Sequence, residues 1–244
     1  MIEPSPVDRV VVTLSRTDDP LVLERLIAYR LYLSDDELRR VGRFVHPSDA
    51  ANFIVGRTLA RTLLSRYADV APRDWPFRID EHGRPELAAR PAGTPDLRFN
   101  VSHTSGLVAC AVTVGREVGV DVEHTGRRLV HDVAERFFSP REVADLRACP
   151  AADQPVVFFD YWTLKESYIK ARGLGLALPL RQFSFLLEGS VPRIAFAPEL
   201  DDNPATWQFA QFWPDRDHRM AVAVRRTGGD LPIEVEEIAP EAPA

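Results

Sequence analysis

Residues 98–123 read RFNVSHTSGLVACAVTVGREVGVDVE, a stretch that carries two β-type runs in close succession. The apolar run Leu107–Val112 predicts one strand, and Glu117–Val122 predicts a second strand after a turn at Gly115. Because only a short turn separates these runs, we expect them to pair with each other as a β-hairpin.

Helical and strand patterns recur on both sides of this stretch. Helices are predicted to begin at Ser34, to cover Pro47–Tyr67 and Ser139–Ala148, and to run from Asp153 to Gly173. Further strands are predicted over Val10–Leu14, Trp75–Ile79, Phe183–Leu187, Thr206–Trp213 and His218–Val224.

A polar stretch without periodicity, His124–Arg128, follows the second of the two β-type runs. We therefore expect an N-terminal half over residues 1–124 and a C-terminal half over residues 125–244. Each half puts helices before strands, which indicates a mixed α/β (α+β) protein. The tail from Gly228 is acidic and contains proline, so we expect little order at its end.

The composition argues against several classes of protein. The formal net charge of -6 disfavours a broad nucleic-acid surface, and the 45% of hydrophobic residues is enough to build a core. Cys110 and Cys149 have no metal-ligand spacing, as expected for a reduced protein without a disulfide framework. The chain starts without a leader pattern and carries no run apolar enough to span a membrane, so we expect a cytoplasmic protein.

Two acids end the second β-type run. Side chains alternate along a strand, so Asp121 and Glu123 share one face while Val120 and Val122 share the other. Magnesium prefers a few carboxylate oxygens and completes its octahedron with water and ligand phosphates, so this pair is a candidate partial magnesium site. The alternative is an exposed strand end with acidic neighbours.

The long helix of the second half carries a polar stripe. Steps of four residues bring Trp162, Glu166 and Lys170 onto one face, so a carboxylate and an ammonium project together. Lys165 and Lys170 are the only lysines among the 30 basic side chains, which suggests that a compact ammonium is needed in this segment. The alternative is a helix-stabilising Glu–Lys pair, with the lysines close together by chance.

Polar residues also interrupt the β-type stretch near its start. Ser102, His103 and the turn amides beside them are candidates for binding a phosphate, the alternative being a histidine that caps a turn. Glu142 fits a capping box opened by Ser139, which favours a structural role. The sequence has no G-x-G-x-x-G, Walker or G-x-S-x-G motif, so dinucleotide-binding, P-loop and serine-hydrolase functions lack support.

Four blocks, taken in order, closely resemble the signature of the Sfp-type 4'-phosphopantetheinyl transferases. Each block is modest, but their order and spacing together are highly specific. The resemblance covers about residues 33–178. The blocks are FNVSH at Phe99–His103, GVDVE at Gly119–Glu123, FFSPRE at Phe137–Glu142 and WTLKESYIK at Trp162–Lys170.

The resemblance implies a 4'-phosphopantetheinyl transferase fold, which is a pseudo-dimer of two similar α/β halves with coenzyme A in the cleft between them. It also implies a magnesium ion held by Asp121, Glu123 and Glu166 that coordinates the coenzyme A pyrophosphate. Glu166 is then a candidate general base, although a metal-bound water or another carboxylate is an alternative. Lys170 would stabilise charge on the leaving bisphosphate.

Several further residues match positions that contact coenzyme A in the family. They are Arg40, Ser102, His103, Lys165 and Lys170, and more weakly Arg57 and Arg84. Asn52 and Glu37 stand where relatives have basic residues, and Arg84 replaces a frequent lysine, so the set of ligands to the 3'-phosphate stays open.

The activity implied by the resemblance is transfer of the 4'-phosphopantetheine arm of coenzyme A to a serine of an apo acyl or peptidyl carrier protein. The carrier would belong to a fatty-acid, polyketide or nonribosomal-peptide synthase, and the family's longer form implies a monomer with broad carrier use. The resemblance also implies a role in secondary metabolite biosynthesis. Two rivals are a magnesium-dependent phosphohydrolase, which needs no carrier, and a silent scaffold that binds coenzyme A or carrier proteins. The intact set of acids and lysines argues against the scaffold.

Overall fold

The computed structural model describes residues 2–81, 83–126 and 131–243. Contacts within the chain divide it into two compact units. The first unit comprises Met1–Arg116 and Pro232–Ala244, and the second comprises Glu117–Leu231.

Both units mix helices with strands, which confirms the predicted fold class. The helices are α1 (Pro20–Tyr29), α2 (Asp35–Val41), α3 (Pro47–Ser65), α4 (His131–Phe137), α5 (Pro140–Ala148) and α6 (Gln154–Arg172). The strands are β1 (Val10–Arg16), β2 (Phe77–Ile79), β3 (Pro85–Leu87), β4 (Leu97–Thr104), β5 (Leu107–Val114), β6 (Val118–His124), β7 (Phe183–Leu186), β8 (Arg193–Phe196), β9 (Trp207–Asp215), β10 (His218–Arg225) and β11 (Ile233–Glu237).

The first unit is built on a four-stranded sheet with the order β11-β1-β5-β4. Helix α3 packs against β4 and β5, and its buried residues Val55, Leu59 and Leu63 join the core formed with Val108 and Cys110. The tail contributes β11, which runs parallel to β1 and extends the sheet at its edge. No strand was predicted in this tail, so β11 is an addition to the predicted elements.

The predicted hairpin between the two β-type runs is wrong. Strand β5 pairs with β4 through the two-residue loop Ser105-Gly106, and its other edge pairs with β1. Both edges of β5 are therefore occupied, and β6 pairs with β10 in a different sheet.

The second unit is built on the three-stranded sheet β6-β10-β9, with α6 packed against β6 and β10. Helix α6 begins with proline near its N-terminus and ends at Gly173, whose φ of 66° gives a left-handed C-cap. Buried residues of α6 such as Leu164 and Tyr168 pack with Phe185 and Phe209 into the core of this unit. The core therefore fixes how α6 is rotated about its own axis.

The predicted boundary lies after residue 124, whereas the boundary between the compact units lies after Arg116. Strand β6 lies between these two positions. This strand groups with the second unit because it pairs along its length with β10. Arg127 and Arg128, which belong to the predicted linker, lie outside the described residues. In the described part of the chain, the helices are too short or too polar to cross a lipid bilayer.

Candidate active site

Strand β6 and helix α6 meet closely on the face that carries Asp121 and Glu123. Gly119 lies on this same face, two residues before Asp121. A Cβ atom at position 119 would lie 2.0 Å from the backbone oxygen of Ser167 and 2.5 Å from the backbone nitrogen of Ala171. Only glycine therefore allows the strand to approach the helix closely enough to bring its carboxylates against α6.

The polar stripe on α6 faces those carboxylates, as its four-residue spacing predicts. The Lys170 ammonium donates a hydrogen bond from Nζ to Oδ1 of Asp121 at 2.7 Å. One end of the stripe thus contacts the first strand acid, while at the other end the Trp162 indole Nε1 donates to Oε1 of Glu123 at 3.2 Å. Glu166 lies one helical turn from each donor, and its charge interacts with both strand acids.

The electrostatics of this cluster are unfavourable for three ionised acids. Burial and, after it, the negative charges of Asp121 and Glu123 together raise the pKa of Glu166 to about 7, against the opposing effect of Lys170. Asp121 is itself only 4% exposed. Three carboxyl groups thus share the neighbourhood of one ammonium, so additional positive charge would stabilise the cluster at neutral pH.

The donor set fits a hard divalent cation, because carboxylate oxygens are the ligands that magnesium prefers. Within residues 2–81, 83–126 and 131–243, no three His, Cys, Asp or Glu side chains already converge so that they could hold a metal ion. The Lys170 ammonium lies 2.7 Å from Oδ1 of Asp121 and so already engages one of the carboxylate oxygens that a metal ion would need. Joint coordination by the three acids would therefore require side-chain rearrangement.

The expected contact of Lys165 with phosphates does not fit its position and needs correction. Its side chain is 0% exposed, and Nζ lies 2.8 Å from Oε2 of Glu142. The same ammonium donates to the backbone oxygens of Leu180 at 2.7 Å and Phe183 at 2.9 Å. Burial lowers the pKa of Lys165, and the Glu142 carboxylate opposes that shift. Lys165 is thus a structural cation of the core.

Glu142 has the structural role that its sequence position favours. It forms the predicted capping box of α5 with Ser139, accepting a hydrogen bond from the Ser139 backbone nitrogen at 2.8 Å. Its other oxygen accepts from the backbone nitrogen of Phe185 at 2.9 Å. Together with Lys165, this carboxylate connects α5, α6 and β7.

Two of the predicted coenzyme A contacts, Arg40 and Arg57, line one cavity of about 600 Å³ in the first unit. The guanidinium of each lies 5.1 Å from the centre of the Phe53 ring. The cavity thus combines positive charge with an aromatic surface. It is lined by Asp36, Glu37, Arg39, Arg40, Arg43, Phe44, Phe53, Arg57 and Ile79.

Arg57 is held by the protein itself. Its Nε lies 3.1 Å from Oε1 of Glu37, and Arg61 contacts the other oxygen of that carboxylate at 2.9 Å. Burial lowers the pKa of Arg57 to about 10, with Glu37 opposing the shift and the neighbouring arginines adding to it. The acid at position 37, which departs from the family pattern, therefore pairs with two buried arginines, and the three side chains together keep a net positive charge.

The remaining predicted contacts lie elsewhere in the first unit. Arg84 pairs with Asp80, its Nε lying 3.3 Å from Oδ2. Ser102 and His103 are consecutive on β4, with Ser102 buried and His103 exposed. Asn52, the second departure from the family pattern, donates from Nδ2 to the backbone oxygen of Thr104 at 3.1 Å and so ties α3 to the end of this strand.

Sequence reasoning assigned no role to two residues that shape the site. Trp162 was placed on the correct helical face, but its hydrogen bond to Glu123 could not be foreseen because the strand partner is remote in sequence. The position of Gly119, two residues before Asp121 on the same strand face, was a usable signal of close packing.

Comparisons with known proteins agree along most of the chain. Residues 117–223 match the family described as the 4'-phosphopantetheinyl transferase superfamily, and residues 21–115 match the family described as 4'-phosphopantetheinyl transferase, N-terminal. The 4'-phosphopantetheinyl transferase HetI of Nostoc sp. is 37% identical over 80% of each chain. The 4'-phosphopantetheinyl transferase Sfp of Bacillus subtilis is 31% identical over 92% of this chain and 95% of its own.

Proposed function

Because this chain belongs to the 4'-phosphopantetheinyl transferase superfamily and transfers phosphopantetheine to carrier proteins, we propose that its donor is coenzyme A and its cofactor is magnesium. The observation that carries this proposal is the contact between β6 and α6, where Lys170 bonds to Asp121, Trp162 bonds to Glu123 and the charge of Glu166 interacts with both strand acids.

The three acids are the residues that would hold magnesium. Oxygen donors suit this ion, and the raised pKa of Glu166 reflects its burial first and the negative charges of Asp121 and Glu123 second. When bound, magnesium supplies charge neutralisation and orientation of the pyrophosphate. Lys170 would then contribute its ammonium to the same phosphates, since a side chain that is 25% exposed can turn between Asp121 and a ligand.

The reaction forms one bond and breaks one. The hydroxyl oxygen of a carrier serine attacks the β-phosphorus of coenzyme A in line with the leaving group, and a new P–O bond forms. The bond from that phosphorus to the bridging oxygen breaks, and its electron pair leaves on adenosine 3',5'-bisphosphate. The serine proton passes to a carboxylate, for which Glu166 is our candidate, and the Lys170 ammonium stabilises the charge of the leaving group.

Coenzyme A recognition would involve the cavity of the first unit. Arg40 offers a guanidinium to a phosphate, and Phe53 offers an apolar ring to the adenine. Arg57 would contribute positive potential, because Glu37 already occupies its guanidinium. Ser102, His103 and Arg84 are retained as further candidates on family resemblance.

The remaining features of the proposal concern partners and location. We expect apo acyl or peptidyl carriers of fatty-acid, polyketide or nonribosomal-peptide synthases as acceptors, in secondary metabolite biosynthesis. We expect a monomer that acts in the cytoplasm, in keeping with its two free cysteines.

Intact mass spectrometry of several apo carriers tests the proposal. After incubation with enzyme, magnesium and coenzyme A, at least one carrier should gain the phosphopantetheine arm, and chelation of magnesium should prevent this. Asp121→Asn and Glu166→Gln should each abolish the gain while the far-UV circular dichroism stays that of wild type. Hydrolysis of coenzyme A without a carrier would favour a phosphohydrolase, and normal transfer by both variants would refute the site.

A further inference from the structure

Besides packing against aromatic rings, Trp162 forms a hydrogen bond with an acid of the candidate active site. Its indole N–H donates to Oε1 of Glu123 at 3.2 Å, from a different element of the second unit. The ring itself is fixed by aromatic neighbours, stacking on Phe158 at 5.9 Å with an interplanar angle of 10° and meeting Phe137 edge-on at 5.9 Å. A rigid ring therefore presents its single donor to one carboxylate oxygen.

The two donors on the α6 stripe differ in charge. Lys170 contacts Asp121 through an ammonium, which neutralises that carboxylate and competes with any other cation there. The indole of Trp162 is neutral, so it fixes the orientation of Glu123 without cancelling its negative charge. A neutral donor of this kind orients a metal-binding carboxylate without taking the place of the metal.

We propose that Trp162 is a positioning residue that holds the Glu123 carboxylate in the orientation needed to bind the divalent cation. This role rests on the proposed magnesium site. In this role Trp162 acts through its hydrogen bond to Glu123. Loss of a partner of this kind typically weakens metal binding or activity about 10- to 100-fold.

Trp162→Phe tests the role, because it keeps an aromatic ring in the stack and removes the donor. Trp207→Phe is a matched control, since the Trp207 indole also donates to a carboxylate, Oδ2 of Asp202 at 3.0 Å, away from the site. Titration of each protein with Mg²⁺ by calorimetry should give a dissociation constant about tenfold higher for Trp162→Phe, with Trp207→Phe close to wild type. Equal affinities in all three proteins would overturn the role.

The indole N–H resonance of wild-type protein provides a second measurement that does not depend on how the variant folds. The Trp162 resonance, assigned by elimination with Trp75→Phe, Trp207→Phe and Trp213→Phe, which remove the other three indoles, should shift on addition of Mg²⁺ and also in Glu123→Gln. An indole resonance that is unchanged by both perturbations overturns the positioning role. If the wild type binds Mg²⁺ in neither experiment, the magnesium site itself is refuted. If the wild type binds Mg²⁺ but the Trp162 measurements show no effect, only the positioning role is refuted.

Discussion

Replacing Glu166 by glutamine should stabilise the protein above neutral pH when no divalent cation is present. In the wild type, burial and the charges of Asp121 and Glu123 raise the pKa of Glu166 to about 7, with Lys170 opposing the shift. The folded state therefore disfavours the ionised carboxyl, and a glutamine of similar shape carries no such charge.

The sign and size of the effect follow from proton linkage. A raised pKa in the folded state stabilises the protein fully below the ordinary value of 4.5, and this contribution is lost as the pH rises through about 7. The difference between these two pKa values, at about 1.4 kcal/mol per pH unit, gives an upper limit of about 3 kcal/mol. Glu166 is half-buried, so solvent screening reduces this figure, and we expect a gain of about 1–3 kcal/mol in Glu166→Gln at about pH 8.

Urea denaturation of wild type and Glu166→Gln at about pH 4 and about pH 8, with chelator present, measures the effect. The two proteins should be nearly equally stable at the acidic pH, and the variant should be more stable at the alkaline pH. Glu199→Gln, at an exposed glutamate, should stay within about 0.5 kcal/mol of wild type at both pH values. If the difference in unfolding free energy between wild type and Glu166→Gln does not grow with pH, the raised pKa of Glu166 is refuted.

Three further substitutions test the close contact between β6 and α6, the buried ion pair of Lys165 with Glu142, and the cavity of the first unit. Gly119→Ala should push β6 away from α6, destabilise the protein by about 1–3 kcal/mol in urea and abolish transfer, whereas Gly228→Ala, with open space around it, should leave both unchanged. Lys165→Met should cost about 3–5 kcal/mol in the same assay because it leaves the Glu142 carboxylate buried and uncompensated; a cost below about 1 kcal/mol would contradict the core role. Arg40→Ala should raise KM for coenzyme A about 10- to 100-fold with little change in kcat, and an unchanged KM in steady-state kinetics would exclude Arg40 from recognition.

Local sequence rules predicted the ends of helices α5 and α6 and the residues that share the polar face of α6. The capping box opened by Ser139, the C-cap at Gly173 and the common face of Trp162, Glu166 and Lys170 all depend on residues within a few positions of one another. These features are confirmed because helix geometry fixes them before tertiary contacts are considered.

Strand pairing could not be predicted in the same way. The strands β5 and β6 are separated by a short turn, yet β5 has both edges occupied and β6 pairs with β10. The tail was predicted without a strand, because its acidic composition concealed the alternation of Ile233–Glu237 that pairs with β1. Both errors concern partners that are far apart in the sequence.

The misplacement of Lys165 was avoidable from helix geometry. Lys165 directly precedes Glu166, so its side chain points about 100° away from the polar stripe. That rotation turns it toward the core, where Glu142 and two backbone oxygens receive its charge. Family resemblance, and the fact that these are the only two lysines of the chain, had grouped it with Lys170, which does lie on the stripe.

We propose that acids from β6 and from α6 bind the same divalent cation. Electron paramagnetic resonance of Mn²⁺, used in place of magnesium with coenzyme A present, measures the bound ion directly. We predict one bound Mn²⁺ per chain in the wild type and its loss in both Asp121→Asn and Glu166→Gln. Retention of wild-type affinity in Glu166→Gln, with loss only in Asp121→Asn, would contradict a site shared by the strand and the helix.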